Sequence, residues 1–265
     1  MSNSGDRAVP STVLPPGPLL LPSAESLSAL ARWLRYGREV PLSVVLLTAA
    51  TVALVVDCPL AQWCVRGSCP EPLRDLFRIA EPFGHGLGVL LIALAIHQLD
   101  PLRRRGIPRL LVCAFGAGLS ANVIKLLVVR MRPKHFDFQG DVWATVGGWF
   151  PGASAGSMGQ SFPSAHMATA VGLVVALTWL YPAGRRYFVA LAVLIACQRI
   201  ETGAHFLSDV LFGAALGYVV ARIFLTRGLL AAFLDIWEAK GGLLRGQPLF
   251  AGSRLSSSGS RHPSQ

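Results

Sequence analysis

Long apolar runs separated by short polar connections dominate this chain. Six of the runs are candidates for helical spans, at about 40–56, 76–98, 110–129, 165–181, 187–200 and 206–225. A helix of roughly 20 apolar residues crosses the hydrocarbon core of a bilayer. The pattern therefore predicts an all-α fold, a polytopic transmembrane helical bundle of about six spans with short interfacial helices.

The two ends of the chain differ from this central part. Residues 1–38 are first rich in Pro, Ser and Gly and then basic and amphipathic, which predicts an N-terminal cytoplasmic tail with an amphipathic segment. Its short, proline-flanked leucine run at 19–21 does not fit a cleaved signal peptide. Residues 39–227 form the predicted six-span membrane domain. Residues 228–265 predict a C-terminal amphipathic segment and then a disordered tail.

Composition agrees with a membrane protein. Of the 265 residues, 52% are hydrophobic and 14% are charged, whereas soluble domains carry about 25% charged residues. The mean hydropathy is +0.51. The net charge of +10 lies in short basic clusters between apolar runs, without the interleaved aromatic residues of a nucleic-acid-binding surface. We therefore expect an integral membrane protein whose partner is the lipid bilayer and not nucleic acid.

The basic clusters also predict an orientation. With six spans and a cytoplasmic N-terminus, sixteen of the 24 lysines and arginines lie on the cytoplasmic side. Cytoplasmic loops carry such an excess in membrane proteins. Both termini are then cytoplasmic, and the ends of spans three and five meet the starts of spans four and six at the outer face.

Three of the five cysteines, Cys58, Cys64 and Cys69, share one short connection on the predicted outer side. A disulfide among them and three unpaired thiols both fit the sequence. The chain has no CxxC pair and no Cys/His spacing typical of a zinc site.

Three polar clusters interrupt the apolar pattern, at 125–133, 161–166 and 199–209. An ionisable residue at the centre of a membrane helix costs roughly 2.5–3.5 kcal/mol on insertion scales, so such residues are candidates for a functional site. Lys125 and Arg132 are about two helical turns apart and are predicted to share a helix face. His205 and Asp209 are predicted to share a face as well, so that the carboxylate orients the imidazole.

The residue types in these clusters suit a phosphate. Ammonium and guanidinium groups bind phosphate oxygens, and the N–H groups at a helix start beside Ser164 add an anion cradle. One histidine can then attack phosphorus while the other protonates the leaving oxygen. The chain has no carboxylate cluster that suits a metal, so we expect neither a metal nor another cofactor.

Four further ionisable residues lie near the predicted outer face. Arg130 and Lys134 are interpreted as contacts to lipid headgroups rather than to the reacting phosphate. Glu81 and His85, near the outer end of span two, fit a headgroup contact or support of the site as well as they fit internal packing.

The three clusters resemble the signature motifs of the type-2 phosphatidic acid phosphatase superfamily. The motifs are K-x6-R-P at 125–133, P-S-[GA]-H at 163–166 and S-R-x5-H-x3-D at 198–209. The resemblance covers about residues 75–227. Gln198 stands where the family has serine, and Ala165 is a common replacement for glycine.

The resemblance implies a role for each matched residue. His205 would be the nucleophile that forms a phosphohistidine, with Asp209 holding it. His166 would protonate the leaving group and later activate water. The residues implied to bind the phosphoryl group are Lys125, Arg132, Ser164, Ala165 through its N–H, and Arg199.

We therefore expect a metal-independent membrane phosphatase domain that hydrolyses a phosphomonoester or pyrophosphate of a lipid at the outer face. The resemblance offers undecaprenyl diphosphate, phosphatidylglycerophosphate, phosphatidic acid and lipid A 1-phosphate as substrates. Short loops favour a bacterial inner (plasma) membrane, with the site on the periplasmic side. A lipid phosphotransferase and a non-catalytic protein that binds or transports lipid phosphates are the alternatives, and the oligomeric state stays open.

Overall fold

The computed structural model describes residues 40–150 and 156–226. The predicted N-terminal tail at 1–38 and the predicted C-terminal segment at 228–265 lie outside these residues. The described part is mainly helical. Its α-helices are α1 (Val40–Ala53), α2 (Asp57–Val65), α3 (Glu71–Ala80), α4 (Gly86–Leu99), α5 (Ile107–Lys125), α6 (Ala165–Leu180), α7 (Arg185–Glu201) and α8 (Leu207–Thr226).

The helices agree with a membrane-spanning fold. Arg104–Lys125 and Leu207–Leu225 are each long and apolar enough to cross a membrane. Two bent pairs, α1 with α2 and α3 with α4, qualify when each pair is counted as one span. Ala165–Leu180 is apolar but shorter. The helical membrane bundle is thus confirmed, and the count of six spans is approximate.

The helices bend at the end of the first predicted span, about 40–56, and inside the second, about 76–98. α1 and α2 meet at 73°, and α2 begins at the buried Asp57. The second bend follows the 3-10 turn Glu81–Gly84: the segment Glu71–Gly84, which includes this turn, meets Gly86–Leu99 at 69°. Pro82 lies in this turn, and proline lacks the N–H that would continue a helix. Hydropathy missed α2, which lies in the predicted connection after span one, and it missed the second bend because the predicted run 76–98 extends across it.

The third predicted span ends earlier than expected and leads into a β-ribbon. α5 stops at Lys125, and Val128–Arg130 forms β1, which pairs antiparallel with β2 (Val146–Trp149). Consecutive β-branched residues favour an extended chain here. The predicted shared helix face of Lys125 and Arg132 is therefore wrong, because the helix ends before Arg132.

Helices α5, α6 and α8 pack against one another through small residues. A Cβ on Gly213 of α8 would lie 2.5 Å from the carbonyl oxygen of Ser164, and one on Gly217 would lie closer still to that of Ala168. Glycine lets two helix backbones approach in this way. Gly213 and Gly217 thus form a GxxxG pair at which α8 lies close to the backbone at the start of α6.

The cysteines are unpaired in the structure. All five, including the three of the predicted outer connection, are free thiols. The sequence fits either a disulfide or three unpaired thiols in this connection, and the structure has the unpaired thiols.

We predict that Gly217→Ala destabilises the bundle, because the new methyl group meets the fixed backbone of α6. Overpacking of this kind costs about 1–3 kcal/mol, so the thermal unfolding midpoint in detergent should fall by several degrees. Gly116→Ala is the control, since its methyl would meet the ring of Phe224, which can move. Equal midpoints for Gly217→Ala and the wild type would contradict this account of the packing.

Candidate active site

Separate helix ends and loops bring the predicted site residues to one end of the bundle. Lys125 ends α5, Arg132 follows β1, and Arg199 lies in the last turn of α7. The other predicted residues sit where α6 and α8 begin, and they are Ser164, Ala165, His166, His205 and Asp209. The electrostatic influence of Lys125, Arg132 and Arg199 reaches both histidines. The three motifs therefore converge as the sequence predicts.

The first feature of the site is a cation cradle made of Lys125, Arg132 and Arg199. Lys125 and Arg199 are only 7% and 8% exposed. The Lys125 ammonium donates to the carbonyl oxygen of Gln160 at 3.1 Å. The Nε of Arg132 is buried and has no hydrogen-bond partner within the described residues. Because buried charges are normally paired, this arrangement suits an anion.

Arg199 is held by two neighbours, which leaves part of its guanidinium for a ligand. Its Nη2 donates to the Glu81 carboxylate at 2.8 Å, and its Nε donates to the side-chain oxygen of Gln198. Gln198 stands where the family has serine, and its oxygen here orients Arg199. The structure therefore places Glu81 at the site.

His205 is almost fully buried just ahead of α8. Its Nδ1 lies 2.7 Å from the carbonyl oxygen of Ser161. A carbonyl only accepts hydrogen bonds, so Nδ1 carries the proton and Nε2 keeps its lone pair. Burial, reinforced by Lys125 and Arg132, holds the pKa of His205 well below its usual 6.5. The imidazole is therefore neutral at neutral pH and can act as a nucleophile.

Asp209 does not hold His205 directly, contrary to the prediction from their spacing. α8 begins at Leu207, so His205 precedes the helix. One Asp209 oxygen accepts the Ser161 hydroxyl at 2.6 Å and the Phe206 N–H at 2.9 Å, while the other accepts from Arg130. Asp209 therefore acts on His205 through Ser161, whose carbonyl holds the imidazole.

The start of α6 supplies backbone donors. Ser164 caps the helix by accepting the Met167 N–H at 3.4 Å, and its own N–H donates to the Asp209 carbonyl oxygen at 3.1 Å. The N–H groups of the first turn, which include those of Ala165 and His166, have no acceptor inside the helix. Ser164 thus caps α6, and the turn can also receive an anion.

The 3-10 turn before α4 forms a wall beside His166. The rings of His85 and His166 have centroids 5.8 Å apart. A Cβ on Gly84 would lie 3.3 Å from the His166 carbonyl oxygen, so the turn packs closely against the start of α6. His85 Nδ1 accepts the Leu87 N–H at 3.3 Å, which leaves Nε2 as the protonated nitrogen of the neutral ring. Glu81 and His85 both belong to the site region.

The interpretation of Arg130 as a headgroup contact is wrong. Arg130 is 4% exposed and forms ion pairs with Asp57 and Asp209, whereas Lys134 is exposed. Sequence reasoning also missed Asp57 and Ser161. The signal for Asp57 was available, since it is a carboxylate that directly follows an apolar run. Among the described residues, no three or more His, Cys, Asp or Glu side chains are grouped to hold a metal ion.

Comparison with known proteins agrees with the motifs. Residues 107–229 match the model of the PAP2 superfamily. A lipid A 1-phosphatase of Rhizobium johnstonii is 28% identical over 242 residues, which are 81% of this chain and 95% of that protein. A lipid A 1-phosphatase of Rhizobium etli is 30% identical over 164 residues, 56% of this chain and 68% of that protein.

A solved structure is also similar. The crystal structure of the first transmembrane PAP2 type phosphatidylglycerolphosphate phosphatase from Bacillus subtilis is 17% identical, with a TM-score of 0.47 over 80% of this chain and 96% of that one. The family model and the Rhizobium relatives, together with the converging motifs, establish the family. The chain belongs to the PAP2 superfamily and is an integral membrane phosphatase, a phosphoric ester hydrolase that acts on a lipid phosphate.

Proposed function

We propose that this phosphatase removes the phosphate of a lipid headgroup through a phosphohistidine on His205, without a metal. The observation that carries the proposal is the cation cradle, whose charges act on the buried imidazole of His205, together with the Ser161 contact that leaves the lone pair on Nε2. Guanidinium and ammonium groups bind the phosphoryl oxygens and stabilise the charge that spreads over them in the transition state. Arg132, whose Nε has no partner in the part of the chain that the structure describes, is one of the proposed ligands.

The reaction has two steps in this proposal. His205 Nε2 attacks phosphorus, the bond from phosphorus to the lipid oxygen breaks, and the imidazolium of His166 gives a proton to that oxygen and becomes neutral. In the second step His166 takes a proton from water, the resulting hydroxide attacks phosphorus, and the phosphorus–nitrogen bond breaks. Inorganic phosphate leaves, and both histidines return to their starting states. Lys125, Arg132, Arg199, Ser164 and the Ala165 N–H hold the phosphoryl oxygens throughout.

The leaving group faces Glu81 and His85 in this proposal, because both residues lie beside His166 and Arg199. A carboxylate accepts hydrogen bonds from hydroxyl groups and repels a second phosphate. This favours a phosphomonoester on a hydroxylated headgroup over a lipid diphosphate. The Rhizobium relatives are lipid A 1-phosphatases, so a sugar 1-phosphate of the lipid A type is the substrate that we propose.

We place the site at the periplasmic face of a bacterial inner membrane, with both termini in the cytoplasm. A basic cluster at 103–105 precedes α5 and another at 185–186 begins α7, so both lie at the opposite ends of these helices from Lys125 and Arg199. The positive-inside rule assigns such clusters to the cytoplasm. A lipid can then present its headgroup to the site while its chains stay in the bilayer.

We predict that His205→Ala abolishes phosphate release from a lipid A-type 1-phosphate in detergent. His166→Ala should lower kcat by about 10²- to 10⁴-fold, the usual contribution of a general acid or base. His97→Ala is the control, since His97 is exposed near the far end of α4. EDTA should leave the wild-type rate unchanged.

Three outcomes would contradict the proposal. If His205→Ala turns over substrate as fast as the wild type, the histidine mechanism is wrong. If the wild-type enzyme loses activity in EDTA, the metal-free mechanism is wrong. Transfer of labelled phosphate to an added lipid acceptor, with none released, would show a phosphotransferase instead.

We predict that Glu81→Gln changes substrate preference. The ratio of kcat/KM for the sugar 1-phosphate lipid to that for undecaprenyl diphosphate should fall about tenfold, because a charge-assisted hydrogen bond is lost and a repulsion is removed. Asp75→Asn is the matched control, because it neutralises an exposed carboxylate paired with Arg78 on α3. A ratio within twofold of the wild type would remove Glu81 from leaving-group recognition.

A further inference from the structure

A second group of charges lies behind the cation cradle, and no part of the proposed reaction uses it directly. We call Asp57, Arg130 and Asp209 the carboxylate–arginine chain. Arg130 Nη2 donates to Asp57 at 2.8 Å, and Nη1 donates to Asp209 and, at 2.7 Å, to the Ser208 hydroxyl. All three members are buried.

The surroundings of Arg130 direct it away from the substrate. Its Nε donates to the Thr145 hydroxyl at 3.2 Å, and its guanidinium carbon lies 4.4 Å from the centre of the Phe206 ring. Each of the three guanidinium nitrogens of Arg130 therefore donates to a protein group, and one face of the guanidinium packs on the Phe206 ring. Arg130 is thus a partner of buried carboxylates and not a phosphate ligand.

Asp57 is the member of the carboxylate–arginine chain that lies farthest from His205 along these hydrogen bonds, and it is bound to Ser208. One of its oxygens accepts the Ser208 N–H at 3.0 Å, and the other accepts from the Ser208 hydroxyl and from Arg130. Because Asp57 begins α2 just after the 73° bend, these bonds tie α2 to the start of α8. Asp57 also lies outside the region that matches the family model.

The carboxylate–arginine chain is connected to His205 through Ser161, which forms hydrogen bonds to both Asp209 and Arg130. The Ser161 hydroxyl donates to Asp209 at 2.6 Å, and the Ser161 N–H donates to the carbonyl oxygen of Arg130 at 2.9 Å. The Ser161 carbonyl oxygen then lies 2.7 Å from His205 Nδ1. These bonds connect Arg130 and Asp57 to the imidazole through one residue, Ser161.

We propose that the carboxylate–arginine chain fixes the direction in which His205 Nε2 faces phosphorus, so that Asp57 and Arg130 are positioning residues for the reaction. The inference rests on the nucleophilic role proposed for His205. In-line attack is sensitive to geometry, and a shift of about 1 Å can cost roughly 100-fold in rate. The cation cradle shares no side chain with this chain, so substrate binding should be little affected when the chain is altered.

The test compares Arg130→Lys, Asp57→Asn and Ser208→Ala with the wild type on the lipid A-type 1-phosphate. The first variant keeps the charge but loses the guanidinium fork, and the second keeps the shape but loses the charge. Ser208→Ala removes hydroxyl bonds to both Asp57 and Arg130 and is the mildest change. For Arg130→Lys and Asp57→Asn, kcat per folded molecule should fall about 10- to 100-fold, with KM within twofold. Ser208→Ala should lower kcat less, again without a change in KM.

Two controls separate positioning from general stability. The first control is Arg103→Lys, which makes the same substitution in the ion pair between Arg103 and Asp100. Arg103 lies before the start of α5, at the other end of that helix from Lys125. This variant should therefore leave kcat unchanged. The second control is the double variant Asp57→Asn with Asp209→Asn. Its kcat should fall to no less than about the kcat of the worse of the two single variants, because the effects of residues that act through one hydrogen-bonded network are not additive. Thermal unfolding supplies the folded fraction of each variant.

The outcomes distinguish the inference from the mechanism beneath it. Full activity of His205→Ala would refute the proposed function itself. If His205→Ala is inactive, the positioning role is overturned by a kcat within twofold of wild type in Asp57→Asn and Arg130→Lys. A rise in KM at unchanged kcat, or losses that multiply in the double variant, would overturn it as well. If Arg130→Lys and Asp57→Asn both fail to fold, an unchanged kcat in Ser208→Ala overturns it and a lowered one supports it.

Discussion

The site depends on buried positive charges that are not matched by an equal number of carboxylates. Within the described residues, Lys125 is met by a backbone carbonyl, Arg199 by Glu81, and the Nε of Arg132 by no acceptor. Such charges are costly to bury. The cost is consistent with a pocket that is prepared for an anionic group before it arrives, since preorganised donors stabilise a transition state without further rearrangement.

The structure keeps this charge separate from a second charged layer behind it. Asp57 and Asp209 engage Arg130, so these carboxylates are occupied and do not neutralise the cation cradle through direct ion pairs. His205 lies between the two layers, and the Ser161 carbonyl fixes its tautomer. Close packing at Gly213 brings the start of α6 against α8, which places the Ser164 region and His205 in one pocket.

Periodicity and motif spacing predicted much of this molecule. The helices α6, α7 and α8 lie within about two residues of their predicted bounds, because they are continuous apolar runs with polar ends. The bends and the β-ribbon were missed, because a hydropathy pattern does not record where a chain turns. The role of Arg130 was also missed, since its partner Asp57 is 73 residues away, and Asp57 meets Ser208 across 151 residues. Local spacing does not encode such contacts.

The central claim is that a neutral His205 inside the cation cradle takes the phosphoryl group, and covalent trapping tests it most directly. The protein would be mixed with a lipid carrying radiolabelled phosphate, quenched rapidly in alkali, digested and mapped by mass spectrometry. The account predicts an alkali-stable, acid-labile label on His205 that is absent from His205→Ala. A label on another residue, or no labelled protein while phosphate is still released, would contradict it.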